Sequence, residues 1–136
     1  MDLSLSVHLP GDARSVPVAR ALGRQVLEPL ELERTLVEQV VLALSELCAN
    51  AVRHAGSRGY ELRLDVDGAR CRVSVVDGGP GFGPELPPPG TALEGGSGLA
   101  IVRALADLLV VGTDPDGRHR VTFEKSLVPA RETLPG

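Results

Sequence analysis

Glu46 and Asn50 stand four residues apart in a stretch of helical periodicity, which puts a carboxylate and an amide oxygen one turn apart on a single helix face. A carboxylate and an amide so placed can position a nucleophile and a magnesium ion. Two further segments have the composition of a receptor for phosphates and a base: Asp77-Gly-Gly-Pro-Gly81 after a strand pattern, and Gly95-Gly-Ser-Gly98 at the start of another helical one. Glycines ahead of a helix leave backbone N–H groups open to an anion at the positive end of the helix dipole. Each segment alone also has a plainer reading. Glu46 and Asn50 suit a solvated helix face, Asp77 a capped turn, and the glycines a hinge with Ser97 as N-cap. In combination they outline a nucleotide pocket.

The elements that must position these residues are legible from periodicity. Residues 3–7 alternate as a half-buried strand, Pro10 and Gly11 break it, and Asp12 is placed to cap a first helix over residues 13–27. That helix carries Val16, Val18, Ala19, Leu22, Val26 and Leu27 at helical intervals and ends at Glu28-Pro29. A second helix over residues 31–54 gathers Leu36, Val37, Val40, Val41, Leu44, Leu47, Cys48 and Ala51 on one stripe, with Gly56 as its stop. Glu46 and Asn50 share a different face with Thr35, Gln39, Ala43 and Arg53.

Residues 60–66 and 69–76 both alternate, and Asp67-Gly68 between them predicts a two-residue hairpin. Pairing Val66 with Ala69 sets Leu64 against Cys71, Leu62 against Val73 and Tyr60 against Val75, and carries Asp77 to the same inward side. A carboxylate aimed inward is costly unless it meets a donor. Residues 78–96 are rich in glycine and proline and longer than an ordinary connector, a class of loop that includes functional lids. Helical spacing resumes over residues 98–108, followed by a strand at 109–113, a turn at 114–117 and a last strand at 119–123. The expected fold is α+β, a two-layer sandwich with a mixed, largely antiparallel sheet and helices on one face. It forms one domain over residues 1–128, with a flexible tail at 129–136.

Composition closes off other chemistry. A chain of 136 residues, 43% of them apolar, fits one domain with a real core. A net charge of -4 gives no footprint for a polyanion, and Tyr60, Phe82 and Phe123 are too few to form a base-stacking platform. Cys48 and Cys71 read as two buried, reduced thiols, and His8, His54 and His119 fall in different elements without metal-ligand spacing, although His54 lies two turns beyond Glu46. A dinucleotide fingerprint fails because Ile101 occupies the third glycine position, and a Walker A loop fails because Lys125, the sole lysine, is not in a Gly-Lys-Ser/Thr sequence. Ser97 is followed by Gly98-Leu99, so it forms no nucleophile elbow. There is no secretory leader pattern at the N-terminus and no uninterrupted apolar run of bilayer length, so a cytoplasmic location is expected.

The order and spacing of the three segments resemble the GHKL (Bergerat-fold) ATP-binding family, and within it the anti-sigma-factor serine/threonine kinase branch of the SpoIIAB and RsbW type. Ser45-Glu46-Leu-Cys-Ala-Asn50-Ala-Val-Arg-His54-Ala resembles the N box of that branch. Asp77-Gly-Gly-Pro-Gly81-Phe82-Gly83 resembles its G1 box, with Gly78 where the family often has Asn or Asp, and the run from Gly95 to Asp107 resembles its G2 box. The resemblance implies Glu46 as the general base and Asn50 as the ligand to Mg²⁺. It implies Asp77 as the acceptor of the adenine amino proton and Gly81 as the point where backbone approaches the base. Gly96, Ser97 and Gly98 would meet the phosphates, and Arg53, Gly79, Phe82, Gly95, Leu99 and Thr122 would complete the ATP contacts, with residues 82–95 as a short lid. It further implies ATP and Mg²⁺ as cofactors, a STAS-domain anti-anti-sigma factor and a sigma factor as partners, a homodimer, and no direct contact with nucleic acid or membrane. Two alternatives share the pocket: a non-catalytic, nucleotide-gated binding regulator, and an accessory catalytic domain acting on a histidine of another polypeptide.

Overall fold

Leu3, Leu5, Val7 and Leu9 alternate with Asp2, Ser4, Ser6 and His8, and this period of two makes the first strand, β1 (Asp2–Leu9), apolar on one face only. In the computed structural model, which describes residues 2–55, 58–77 and 98–127, four more strands extend it. They are β2 (Tyr60–Asp67), β3 (Arg70–Asp77), β4 (Leu108–Thr113) and β5 (His119–Ser126), interleaved with α1 (Ser15–Leu27), α2 (Arg34–Ala55) and α3 (Gly98–Leu105). The sheet order is β1-β2-β3-β5-β4, and every neighbouring pair is antiparallel, so the sheet expected to be mixed is antiparallel throughout the described residues. The three helices cover one face, with α2 packed between α1 and α3. Leu44, Leu47, Leu62, Leu64, Val73, Val102 and Phe123 are fully buried between the layers.

The β2–β3 hairpin departs from its expected register by two residues: Val66 stands opposite Cys71, Leu64 opposite Val73 and Leu62 opposite Val75. The cause is Asp67, whose carboxylate accepts the backbone N–H of Arg70 at 3.1 Å, with Gly68 at φ +76°, so residues 67–70 form a longer turn than the two-residue one. A shift of two leaves side-chain parity unchanged. Asp77 therefore still faces the helices, opposite Tyr60 on one side and His119 on the other.

Helix boundaries move for equally local reasons. The Asp12 carboxylate accepts the Arg14 N–H at 2.8 Å and its carbonyl accepts the Ser15 N–H at 2.8 Å, so Asp12 closes the turn before α1 and does not cap the helix itself. Val18, expected on the apolar stripe, is half exposed. A 3-10 turn, Glu28–Leu30, follows α1, and Glu31 in the left-handed region at φ 56° delays the start of α2 to Arg34. Helix α3 stops three residues early because Asp107 is drawn to β5: its N–H donates to the Glu124 carbonyl at 2.9 Å and its carboxylate accepts the Ser126 N–H at 2.7 Å. Lys125 donates to the Leu105 carbonyl at 2.8 Å, satisfying an orphan acceptor at the end of the helix.

Residues 34–54 have a mean hydropathy of 1.4 over their most apolar window, enough by length and composition to cross a bilayer. That window is 61% buried beneath the sheet and the flanking helices, which marks α2 as the core helix of the sandwich. Cys48 and Cys71 are free and buried, and burial pushes both thiols up to about 12. The expected helix stop at Gly56 and the expected tail at 129–136 lie outside the described residues.

Candidate functional site

Helix α2 packs against α1, α3 and β3, and the charge of Asp77 at the end of β3 reaches His54 in the C-terminal half of the helix. Asn50 lies in that half and is only 7% exposed, although an amide side chain is ordinarily at the surface. Its oxygen accepts from the Arg53 guanidinium, one turn further on, at 3.2 Å. Glu46, one turn earlier, is partly exposed. Ser45 beside it is buried and receives a long hydrogen bond from Arg20 at 3.4 Å. The α2 face that carries Glu46 and Asn50 is thus partly enclosed, and Ala43 on it is fully buried.

Asp77 closes β3 and is 5% exposed on the face that receives the helices. Strand register sets it between Tyr60 and His119. His54 joins the two halves of the site. Burial and the neighbouring Arg53 charge hold its imidazole below the ordinary histidine value, His119 acts in the same sense, and the Asp77 carboxylate opposes them. The last turn of α2 and the end of β3 therefore share one electrostatic neighbourhood containing Asn50, Arg53, His54, Asp77 and His119.

Three other expected contacts fall apart from this group or at its border. Thr122 sits on the opposite face of the sheet, where its hydroxyl shares a 2.9 Å hydrogen bond with Ser74, its cross-strand partner. The structure does not bring it together with Asn50 and Asp77. Leu99, in the first turn of α3, is 7% exposed and packs into the common core. Gly98 opens α3, which packs against α2, so a helix N-terminus borders the α2 layer. Gly79, Gly81, Phe82, Gly95, Gly96 and Ser97, and with them the expected lid, lie outside the described residues.

His119 was not among the residues expected at the site, yet a signal for it existed. Val121 and Phe123 are core residues of β5, and a period of two puts His119 on their face and Thr122 on the other. The arrangement can offer an amide oxygen to a cation, accept a hydrogen bond from an inward-facing ligand at a buried carboxylate, and present a partly exposed carboxylate one helical turn from the amide.

Residues 9–125 match the family model of the histidine kinase-like ATPase domain, a span reaching from the end of β1 into β5. The crystal structure of the RsbU and RsbW domains of Rv1364c from Mycobacterium tuberculosis has the same fold, with a TM-score of 0.69 and 23% identity. The likeness covers 97% of this chain and 35% of that one, so the present chain spans well under half of that protein. No curated protein matches the sequence. With a family match over most of its length, a buried Asp77 and Asn50 on facing elements, and the fold to carry them, the chain belongs to the histidine kinase-like ATPase family, and its domain implies ATP as ligand.

Proposed function

We propose that this domain is an ATP–Mg²⁺-dependent serine/threonine protein kinase of the anti-sigma type, cytoplasmic and homodimeric. Its substrate would be a hydroxyl on a STAS-domain anti-anti-sigma factor, and its sequestered partner a sigma factor. The observation that supports this best is the placement of two buried polar side chains, Asn50 and Asp77, around the last turns of α2, with Glu46 one turn from the first of them. Asp77 would accept a hydrogen bond from the adenine amino group, and Glu46 would take the proton of the acceptor hydroxyl as the hydroxyl oxygen bonds to the γ-phosphorus and the bond to the ADP oxygen breaks. Asn50 would offer its amide oxygen, a hard ligand, to the cation once the Arg53 guanidinium that donates to it at 3.2 Å moves aside. When bound, Mg²⁺ supplies charge neutralisation on the phosphates, and a single amide ligand suffices because this ion is commonly shared with phosphate oxygens. A fold shared with a chain that joins RsbU and RsbW domains supports a role in partner regulation.

The test is transfer of label from γ-labelled ATP, with Mg²⁺, to a candidate STAS protein by wild type and Glu46→Ala. The kinase reading expects transfer to be lost in the variant while nucleotide binding is largely kept. Wild type that binds ATP yet labels no partner would leave the nucleotide-gated regulator in its place.

A further inference from the structure

Tyr60 is the only tyrosine of a chain without tryptophan, and it is 1% exposed. Its hydroxyl shares a buried 2.7 Å hydrogen bond with Ser15, the first residue of α1, and lies against the Cys48 thiol of α2. Cys48 is two residues from Glu46 and two from Asn50, while across the β2–β3 ladder Tyr60 stands opposite Asp77. One phenol therefore adjoins both elements that carry the candidate site and the start of a third that does not. A buried polar contact of this kind is costly to break and fixes the spacing of the groups it joins. At the far end, Ser15 borders an apolar cleft of about 400 Å³ lined with Leu9, Pro10, Asp12, Arg14 and the exposed Val18.

We propose that Tyr60 is a positioning residue that relays occupancy of the Asn50–Asp77 site to the start of α1 through its hydroxyl contacts with Ser15 and Cys48. The proposal rests on the nucleotide reading above. A shift of the α2 turn between Glu46 and Asn50, or of the end of β3, moves a neighbour of the phenol, and the Ser15 hydrogen bond passes that displacement to the first turn of α1. Physical contiguity becomes coupling only if the distant element responds to the ligand, so the response itself must be measured.

The experiment is amide hydrogen exchange over residues 10–20 with and without ATP–Mg²⁺, in wild type, Tyr60→Phe and Ser15→Ala. In wild type the nucleotide changes exchange at the start of α1 by at least about twofold. Tyr60→Phe keeps the ring and loses only the hydroxyl, and Ser15→Ala cuts the same link from the helix side. Both should still bind ATP within about threefold of wild type while the response at α1 disappears. A merely structural role would alter baseline exchange and leave the ligand-dependent change in place. Wild type that takes up ATP with no response at α1, or a response that survives in either variant that folds and binds, overturns the relay alone. Wild type that takes up no ATP overturns the nucleotide reading and the relay with it.

Discussion

At the scale of single residues, the clearest oddity is an amide buried next to a guanidinium. Asn50 is nearly enclosed, and the atom proposed to meet Mg²⁺ is the one that accepts from Arg53. A buried acceptor is expensive to leave unmet, so the Arg53 contact satisfies it when no cation is near. Asn50→Ala should reduce the Mg²⁺-dependent part of ATP affinity by at least about tenfold, checked by titrations in Mg²⁺ and in EDTA. Equal loss in both conditions would place Asn50 in general packing. His54 offers a second handle. Its imidazole is held below the ordinary value by burial and by Arg53, so it is neutral at pH 7, and acidification toward and below the ordinary histidine range protonates it beside Arg53. The unfolded chain binds that proton more readily than the folded one, so stability falls with pH through this window. His54→Gln should flatten the fall in urea midpoint between pH 7 and 5.

Among the elements, the sandwich tolerates little change where β2 begins. Gly59 has φ +86°, and a Cβ there would stand 2.8 Å from the Leu9 carbonyl, so both backbone strain and a collision oppose a side chain. Gly59→Ala should cost roughly 1–3 kcal/mol, read from urea unfolding with an unchanged slope. Leu62→Ala, in the fully buried middle of the sheet, should cost about 2–5 kcal/mol by the cavity it leaves. Most of this architecture was legible because strands and helices here follow their apolar periods closely, including the inward turn of Asp77. What escaped was set by contacts a local pattern does not contain. The Asp67 carboxylate lengthened the hairpin, and the pull of Ser126 and Glu124 on Asp107 ended α3 early. Thr122 is a different case, since its parity with Val121 and Phe123 was readable and pointed away from the helices. Asn50 and Asp77 were legible by type and spacing, but their enclosure depends on the packing of α2 against β3.

On the scale of the whole molecule, the sheet face away from the helices is held by charge. Asp114, from the β4–β5 turn, is 5% exposed and pairs with Arg63 at 3.1 Å and with Arg118 and Arg120 at 3.6 Å. Glu61 joins the same group through Arg63 and receives the Ser6 hydroxyl at 2.6 Å. The Arg63 hydrogen bond, aided by Ser6, holds the Glu61 carboxyl at about 2 against an ordinary 4.5. A depressed acid stabilises the fold above its unfolded value, and the effect is lost as pH falls from about 4.5 toward 2. With its side chain 22% exposed, screening reduces the contribution to about 0.5–1 kcal/mol. Glu61→Gln should be less stable than wild type by that amount at pH 7, with the gap narrowing from about pH 4.5 and closed near pH 2, and a gap independent of pH would assign the loss to packing. The central claim, that the α2 and β3 ends of this sandwich form one adenine-nucleotide site, is tested most directly by calorimetric titration of wild type and Asp77→Asn with ATP–Mg²⁺. The account predicts saturable one-site binding in wild type and at least about tenfold weaker binding in the variant, as expected when a charge-assisted hydrogen bond to the base is lost. Wild type that takes up no nucleotide, or a variant that binds as tightly as wild type, would contradict it.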